Sequence, residues 1–189
     1  FWSAISSHIH GEGEYVNIQY GYELVNSISS DALKITAGLQ PTAIGKDIFE
    51  VFSNVDIFIR GESEFVLLDI VQKLEKSKSI NDVRGILYKD KSGDIIETPK
   101  QEIISNMDLI PYYDYSIFQK QIFWRPYNGS VIRAVDYELS RGCIYTCSYC
   151  VETTIQRYYG FNERGKRGAL NNAKNYLRTK SAQRIYDEL

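Results

Sequence analysis

Neither sign of charge is in excess: 22 Lys and Arg stand against 24 Asp and Glu, a formal net charge of -2. No overall field therefore favours nucleic acid or an anionic membrane surface. No apolar run approaches the ~18 residues that span a bilayer, and no secretory signal is visible, so the expected location is cytoplasmic. Low-complexity segments and internal repeats are missing too. Histidine is scarce: His8 and His10 are the whole supply. Cysteine is limited to Cys143, Cys147 and Cys150. Their odd count, and the very tight loops they would close, fit disulfides poorly.

What remains is the composition of a soluble globular protein, 43% hydrophobic and 24% charged. The 189 residues suffice for one domain or for parts of two. The chain opens on Phe1 and closes on "SAQRIYDEL", which reads as a helix just beginning. Ser181 can cap it, and Ile185 and Leu189 lie one turn apart on one face. The expectation is a piece of a longer protein, inactive when isolated.

Strand and helix patterns alternate along the first part. "FWSAISS" reads as a strand end, and Glu14 to Ile28 as a helix. Leu33, Ile35 and Ala37 alternate as a strand before Gly38, with loop from Pro41. Asp47 to Phe52 fits a short helix, and "VDIFIRG" a buried parallel strand. "ESEFVLLDIVQKLEKS" is the clearest helix, with Leu67, Ile70, Val71 and Leu74 as its apolar stripe. This order predicts an α/β fold, a parallel sheet with helices on both faces. "RGILYKDKSGDIIETP" adds two short strands around a turn. An aromatic, irregular stretch follows and reads as a linker. "VIRAVDYELSRG" then alternates as a strand, with the cysteines directly after it.

Three thiolates within eight positions can converge on one centre. Structural zinc normally takes four ligands, and the two histidines lie over a hundred residues upstream. Cysteines acting as small buried hydrophobes would not favour one short loop that also carries Thr146 and Ser148. An iron–sulfur cluster held by three thiolates leaves one iron open, as a site for substrate or cofactor requires. The cluster is the favoured reading. Its rival is a non-catalytic metal-binding module, with structural zinc or an electron-transfer cluster.

The stretch "CIYTCSYC", with C-x3-C-x2-C spacing and an aromatic before the last cysteine, resembles the radical S-adenosylmethionine superfamily, as does the flank "ELSRGC". The resemblance implies that Cys143, Cys147 and Cys150 ligate three irons of a [4Fe-4S] cluster. It also implies that S-adenosylmethionine chelates the fourth. An electron from a donor such as flavodoxin or ferredoxin would then release a 5'-deoxyadenosyl radical. Tyr149 would lie near the adenine, or serve as a plain packing aromatic. "VIRAVDYEL" would be the first strand of a partial (β/α) barrel.

Upstream, "AGLQPTA", "VDIFIRGESEFVLLDIVQKL", "RGILYKDKSGDIIETP" and "MDLIPYYDYSIF" follow the order seen in the cobalamin-binding subclass, where a Rossmann-like domain precedes the barrel. Gly38 and Gly61 end two strands and would let a corrin approach the backbone. The equal alternative reading is plain turn glycines. Ser6-x-His8-x-x-Gly11 has serine where many cobalamin proteins carry aspartate, so His8 is read as a polar strand-end residue. Glu62 and Glu64 are read as complementing a helix dipole.

The expected division is a C-terminal part of a cobalamin-binding-type domain over 1–105, a linker over 106–130, and the start of the barrel over 131–189. Arg164, Lys166 and Arg167 form a basic run, read as solvated loop rather than a nucleic-acid contact. The implied activity is cobalamin-linked transferase or cyclase chemistry on a small-molecule or unknown substrate.

Overall fold

The computed structural model describes residues 2–4, 23, 25–27, 31–135 and 137–189. The chain divides into two compact units, Phe1–Ile104 with Tyr145–Asn171, and Ser105–Ile144 with Asn172–Leu189. The boundaries do not run linearly along the chain: Tyr145–Asn171 belongs with the residues up to Ile104.

The first unit carries a five-stranded sheet in sequence order: β1 (Trp2–Ala4), β2 (Ile35–Gly38), β3 (Ile57–Ile59), β4 (Ile86–Lys89) and β5 (Ile95–Glu97). Its helices are α1 (Leu39–Ile44), α2 (Ile48–Val51), α3 (Glu64–Glu75) and α4 (Glu152–Tyr158). Side chains alternate across a strand, so β3 builds two cores. Phe58 packs with Ile48, Phe49, Val55 and Leu87 on one face. Ile57 and Ile59 pack with Ala37, Val66, Ile70, Val83 and Ile86 on the other. Each fully buried side chain of this kind contributes about 1.5–3 kcal/mol. The α/β class with two covered faces is thus as expected.

The sheet is mixed rather than purely parallel. β1–β2 and β2–β3 run parallel, whereas β3–β4 and β4–β5 run antiparallel. For β4–β5 the cause is the tight turn at "DKSGD". The Asp90 carboxylate accepts the N–H groups of Ser92 and Asp94 at 2.8 and 3.0 Å, and Gly93 takes φ +88°. Strands joined by so short a turn must pair antiparallel.

Two further expectations change. Pro41 does not end in loop but lies in the first turn of α1, where its missing N–H leaves no helical bond unmade. On α3 the buried residues are Val66 and Ile70, while Val71 and Leu74 are 41% and 43% exposed. Apolar residues at 66, 67, 68, 70 and 71 offer more than one helical face, and packing on the sheet selects one. Glu23 and Val25–Ser27 are helical. The rest of that expected helix, and Ser6, His8, His10 and Gly11, lie outside the described residues.

The second unit has β6 (Trp124–Tyr127) paired with β7 (Ser130–Arg133), and β8 (Ser140–Arg141) paired with β9 (Arg178–Thr179), both antiparallel. It also carries α5 (Ala173–Tyr176) and α6 (Ala182–Glu188). The stretch "VIRAVDYEL" is not one strand. Its first residues turn back on β6 through Asn128 and Gly129, both at positive φ (47° and 75°). Asn-Gly is the strongest short hairpin signal. Ser181 caps α6 as expected, accepting the Arg184 N–H at 3.1 Å. The side of α6 that is buried carries Arg184, however, and Leu189 is 74% exposed. Glu188 receives Lys180 at 2.6 Å and Arg184 at 2.9 Å, and accepts the Tyr137 hydroxyl. Among the described residues, no helix is long and apolar enough to cross a membrane.

Candidate functional site

The x2 spacing between the last two cysteines makes a hydrogen-bonded turn. The Cys150 N–H donates to the Cys147 carbonyl at 3.2 Å, and the Thr153 N–H to the Cys150 carbonyl at 3.2 Å. Helix α4 starts from this turn. Its buried Thr153 returns a hydroxyl to the Cys147 carbonyl at 2.8 Å, so that oxygen accepts twice. Gln156, 1% exposed, donates from its amide to the Tyr145 carbonyl at 2.9 Å. Thr146 gives both its N–H and its hydroxyl to the Gly168 carbonyl, at 3.0 and 2.8 Å. The stretch Tyr145–Cys150 is therefore fixed from two sides. Sequence reasoning missed Thr153 and Gln156. In "ETTIQRY" they look like surface polar residues, and only their burial sets them apart.

Cys143 belongs to the second unit. It follows Gly142, which sits at φ +94° with Tyr176 packed against it: a Cβ there would stand 2.3 Å from the Tyr176 carbonyl oxygen. All three cysteines are half-buried. Among the described residues no three His, Cys, Asp or Glu side chains are gathered closely enough to hold a metal ion. The loop thus supplies a donor set of the right chemistry without a converged cage. Tyr149 is 90% exposed. A hydrogen bond to the Cys147 sulfur raises the phenol pKa.

Gly38 and Gly61 both lie at the C-terminal ends of parallel strands and both take positive φ, 118° and 83°. The room that a side chain at Gly61 would fill holds Tyr159 Oη, 2.3 Å from an ideal Cβ, and Gln101 Nε2 at 2.8 Å. Next to it, the Glu62 N–H donates to the Tyr159 hydroxyl at 2.8 Å, and a Glu62 carboxylate oxygen accepts the Ile104 N–H at 2.7 Å. Arg60 stacks on the Tyr158 ring at 4.7 Å and pairs with Glu97. Glu62 thus acts as a tie between segments, whereas Glu64 lies in the first turn of α3 as the dipole reading expects. Arg164 and Arg167 are exposed, in keeping with a solvated basic loop.

No protein-family model matches the chain. It is 26% identical over 141 residues to the anaerobic magnesium-protoporphyrin IX monomethyl ester cyclase of Rubrivivax gelatinosus. That match takes in 72% of this chain and 25% of the cyclase, so the chain spans about a quarter of that relative. In fold it is similar to the radical S-adenosylmethionine methyltransferase TsrM from Kitasatospora setae, solved with cobalamin and a [4Fe-4S] cluster bound. The TM-score is 0.53 at 16% identity, over 90% of this chain and 30% of that one. It is also similar to the cobalamin-dependent S-adenosylmethionine radical enzyme OxsB, with a TM-score of 0.51 at 20% identity, over 91% of this chain and 20% of that one. At these identities the two structures speak for the fold.

Proposed function

We propose that the chain is part of a radical S-adenosylmethionine enzyme of the cobalamin-binding-domain subclass and supplies its cluster-binding loop. The observation that carries this reading is the C-x3-C-x2-C set of cysteines in one stretch of chain. Cys143, Cys147 and Cys150 are assigned as ligands of a [4Fe-4S] cluster, and three thiolates leave one iron for S-adenosylmethionine. When bound, the cluster and S-adenosylmethionine supply one-electron cleavage of the sulfonium, and so radical chemistry. An electron donor of the flavodoxin or ferredoxin class would feed it.

The chain's own residues bind and orient. The turn Cys147–Cys150 sets two ligands three positions apart, and Gly142 lets the chain enter at Cys143. Tyr149, exposed beside the Cys147 sulfur, is available to the adenine of S-adenosylmethionine. Residues 1–105 act as part of a cobalamin-binding-type domain, 106–130 as a linker, and 131–189 as the start of the barrel. Backbone contact with a corrin is assigned to Gly38 and Gly61, the latter with Tyr159 and Gln101 filling the space on its Cβ side. The enzyme's reaction is a transfer or a ring closure on a small molecule, the two outcomes named among its relatives.

The test is anaerobic reconstitution of the full-length protein with iron and sulfide. The wild type should turn brown and bleach with dithionite. Alanine at any one of Cys143, Cys147 or Cys150 should abolish stable iron and sulfide loading. A colourless protein holding zinc and no sulfide would replace this reading with the non-catalytic metal module.

A further inference from the structure

We propose that Thr153 and Gln156 are positioning residues for the cluster loop, presetting the backbone from which Cys147 and Cys150 present their thiolates. The inference rests on the cluster reading above and adds two residues to it that the cysteine spacing does not reveal.

A ligand loop loses metal readily when its backbone must be ordered at each binding event. Preorganisation removes that cost. Here the Cys147 carbonyl is saturated, by the Cys150 N–H at 3.2 Å and the Thr153 hydroxyl at 2.8 Å. The Tyr145 carbonyl, two residues earlier, is held by the Gln156 amide at 2.9 Å. Both donors come from α4, one turn apart on the same face, and both are buried, at 8% and 1% exposure. A polar side chain at such depth is kept for its hydrogen bond, since burial without one is unfavourable. Neither residue carries a thiolate, the donor that an iron–sulfur cluster takes; each gives a hydrogen bond to a main-chain oxygen of the loop. Their role is to fix the direction in which the two Cα–Cβ bonds leave the turn. Groups of this kind commonly change metal affinity by about 10–100-fold when removed.

The experiment uses the full-length protein carrying this chain, purified without oxygen. Thr153→Val keeps the shape and removes the donor; Thr153→Ser keeps the donor and removes a methyl group; Gln156→Met removes the amide. Three quantities are read: the thermal midpoint of the cluster-free protein, the rate of iron loss to EDTA after reconstitution, and the electron paramagnetic resonance spectrum of the dithionite-reduced cluster. Thr153→Val and Gln156→Met should lose iron about 10-fold faster or more, with an altered spectrum, while Thr153→Ser follows the wild type. Should Thr153→Val fail to fold, the other two variants decide: Ser at the wild-type rate with Met faster supports the proposal. Wild-type rates and spectra in the donor-less variants, or a Thr153→Ser variant as poor as Gln156→Met, overturn it and leave the cluster reading in place. A wild type that takes up no iron, or a Cys147→Ala variant with wild-type iron, instead overturns the cluster reading.

Discussion

Thr42 accepts the N–H of Gly61 at 2.7 Å, and its hydroxyl donates in turn to the Gly38 carbonyl at 2.7 Å. One side chain, 2% exposed, thereby ties together the ends of two parallel strands. Thr42→Val would keep the shape and leave the Gly61 N–H without its acceptor. The expected cost is about 1–3 kcal/mol of unfolding free energy. Thr42→Ser, which keeps the hydroxyl, should lose clearly less. Urea denaturation of the two variants separates them, and equal losses would show that the hydroxyl is not what matters.

Gly61 and Tyr159 form a second tie. A methyl group at Gly61 would meet the Tyr159 hydroxyl at 2.3 Å, on a backbone at φ +83°. Gly61→Ala should therefore cost about 1–3 kcal/mol in backbone strain alone, with the clash added. Removing the hydroxyl relieves only the clash. In a double-mutant cycle, Gly61→Ala with Tyr159→Phe should thus lose less than the sum of the single losses, by about 0.5–3 kcal/mol. Strict additivity would mean that the two groups do not meet.

These two ties also show where the sequence stops being legible. The strand–helix alternation was readable because a buried strand and an amphipathic helix carry different periods. The C-x3-C-x2-C cysteines stand in one stretch and need no fold to be seen. Glu62 and Tyr159, by contrast, are 97 positions apart, and no local pattern links them. Thr153 and Gln156 look like any solvated helix positions until their burial is known. The Asn128-Gly129 hairpin was legible and was passed over, because its aromatic surroundings suggested a linker. "VIRAVDYEL" has the alternation of a strand. Alternation does not choose a partner, however, and β6 next to it in sequence supplied the ladder for its first residues.

Gly142 precedes the first cysteine, and its missing Cβ is what admits Tyr176. Alanine there would stand 2.3 Å from the Tyr176 carbonyl oxygen at φ +94°. That oxygen is main chain and cannot rotate away as a side-chain tip could. Gly142→Ala should lower the thermal midpoint and also reduce iron loading, since Cys143 is the next residue. Both are measured on one preparation. Wild-type loading with a lowered midpoint would show that Cys143 tolerates the shift.

The ion cluster on α6 gives the second unit a dependence on pH at both ends of the scale. Burial by itself would raise the Glu188 pKa. Hydrogen bonds from Arg184, Lys180 and Tyr137 outweigh it and hold the carboxyl at about 2, against an ordinary 4.5. A carboxyl with a depressed pKa adds stability that is present above pH 4.5 and is lost as pH falls through about 2. Burial first, then the hydrogen bond to Glu188, push Tyr137 up to about 12 from 10.0. That contribution is present below pH 10 and is lost as pH rises through about 12. Both shifts depend on the Glu188 carboxylate. Glu188→Gln should therefore shrink both the acid limb and the alkaline limb of a plot of urea midpoint against pH. Tyr137→Phe should shrink the alkaline limb and largely spare the acid one, where Lys180 and Arg184 still hold Glu188. The Gln variant should also be much less stable near neutrality, because it leaves the Lys180 ammonium, 1% exposed, without its anion. If wild type and Glu188→Gln fall in parallel between pH 4.5 and 2, the cluster does not govern acid unfolding.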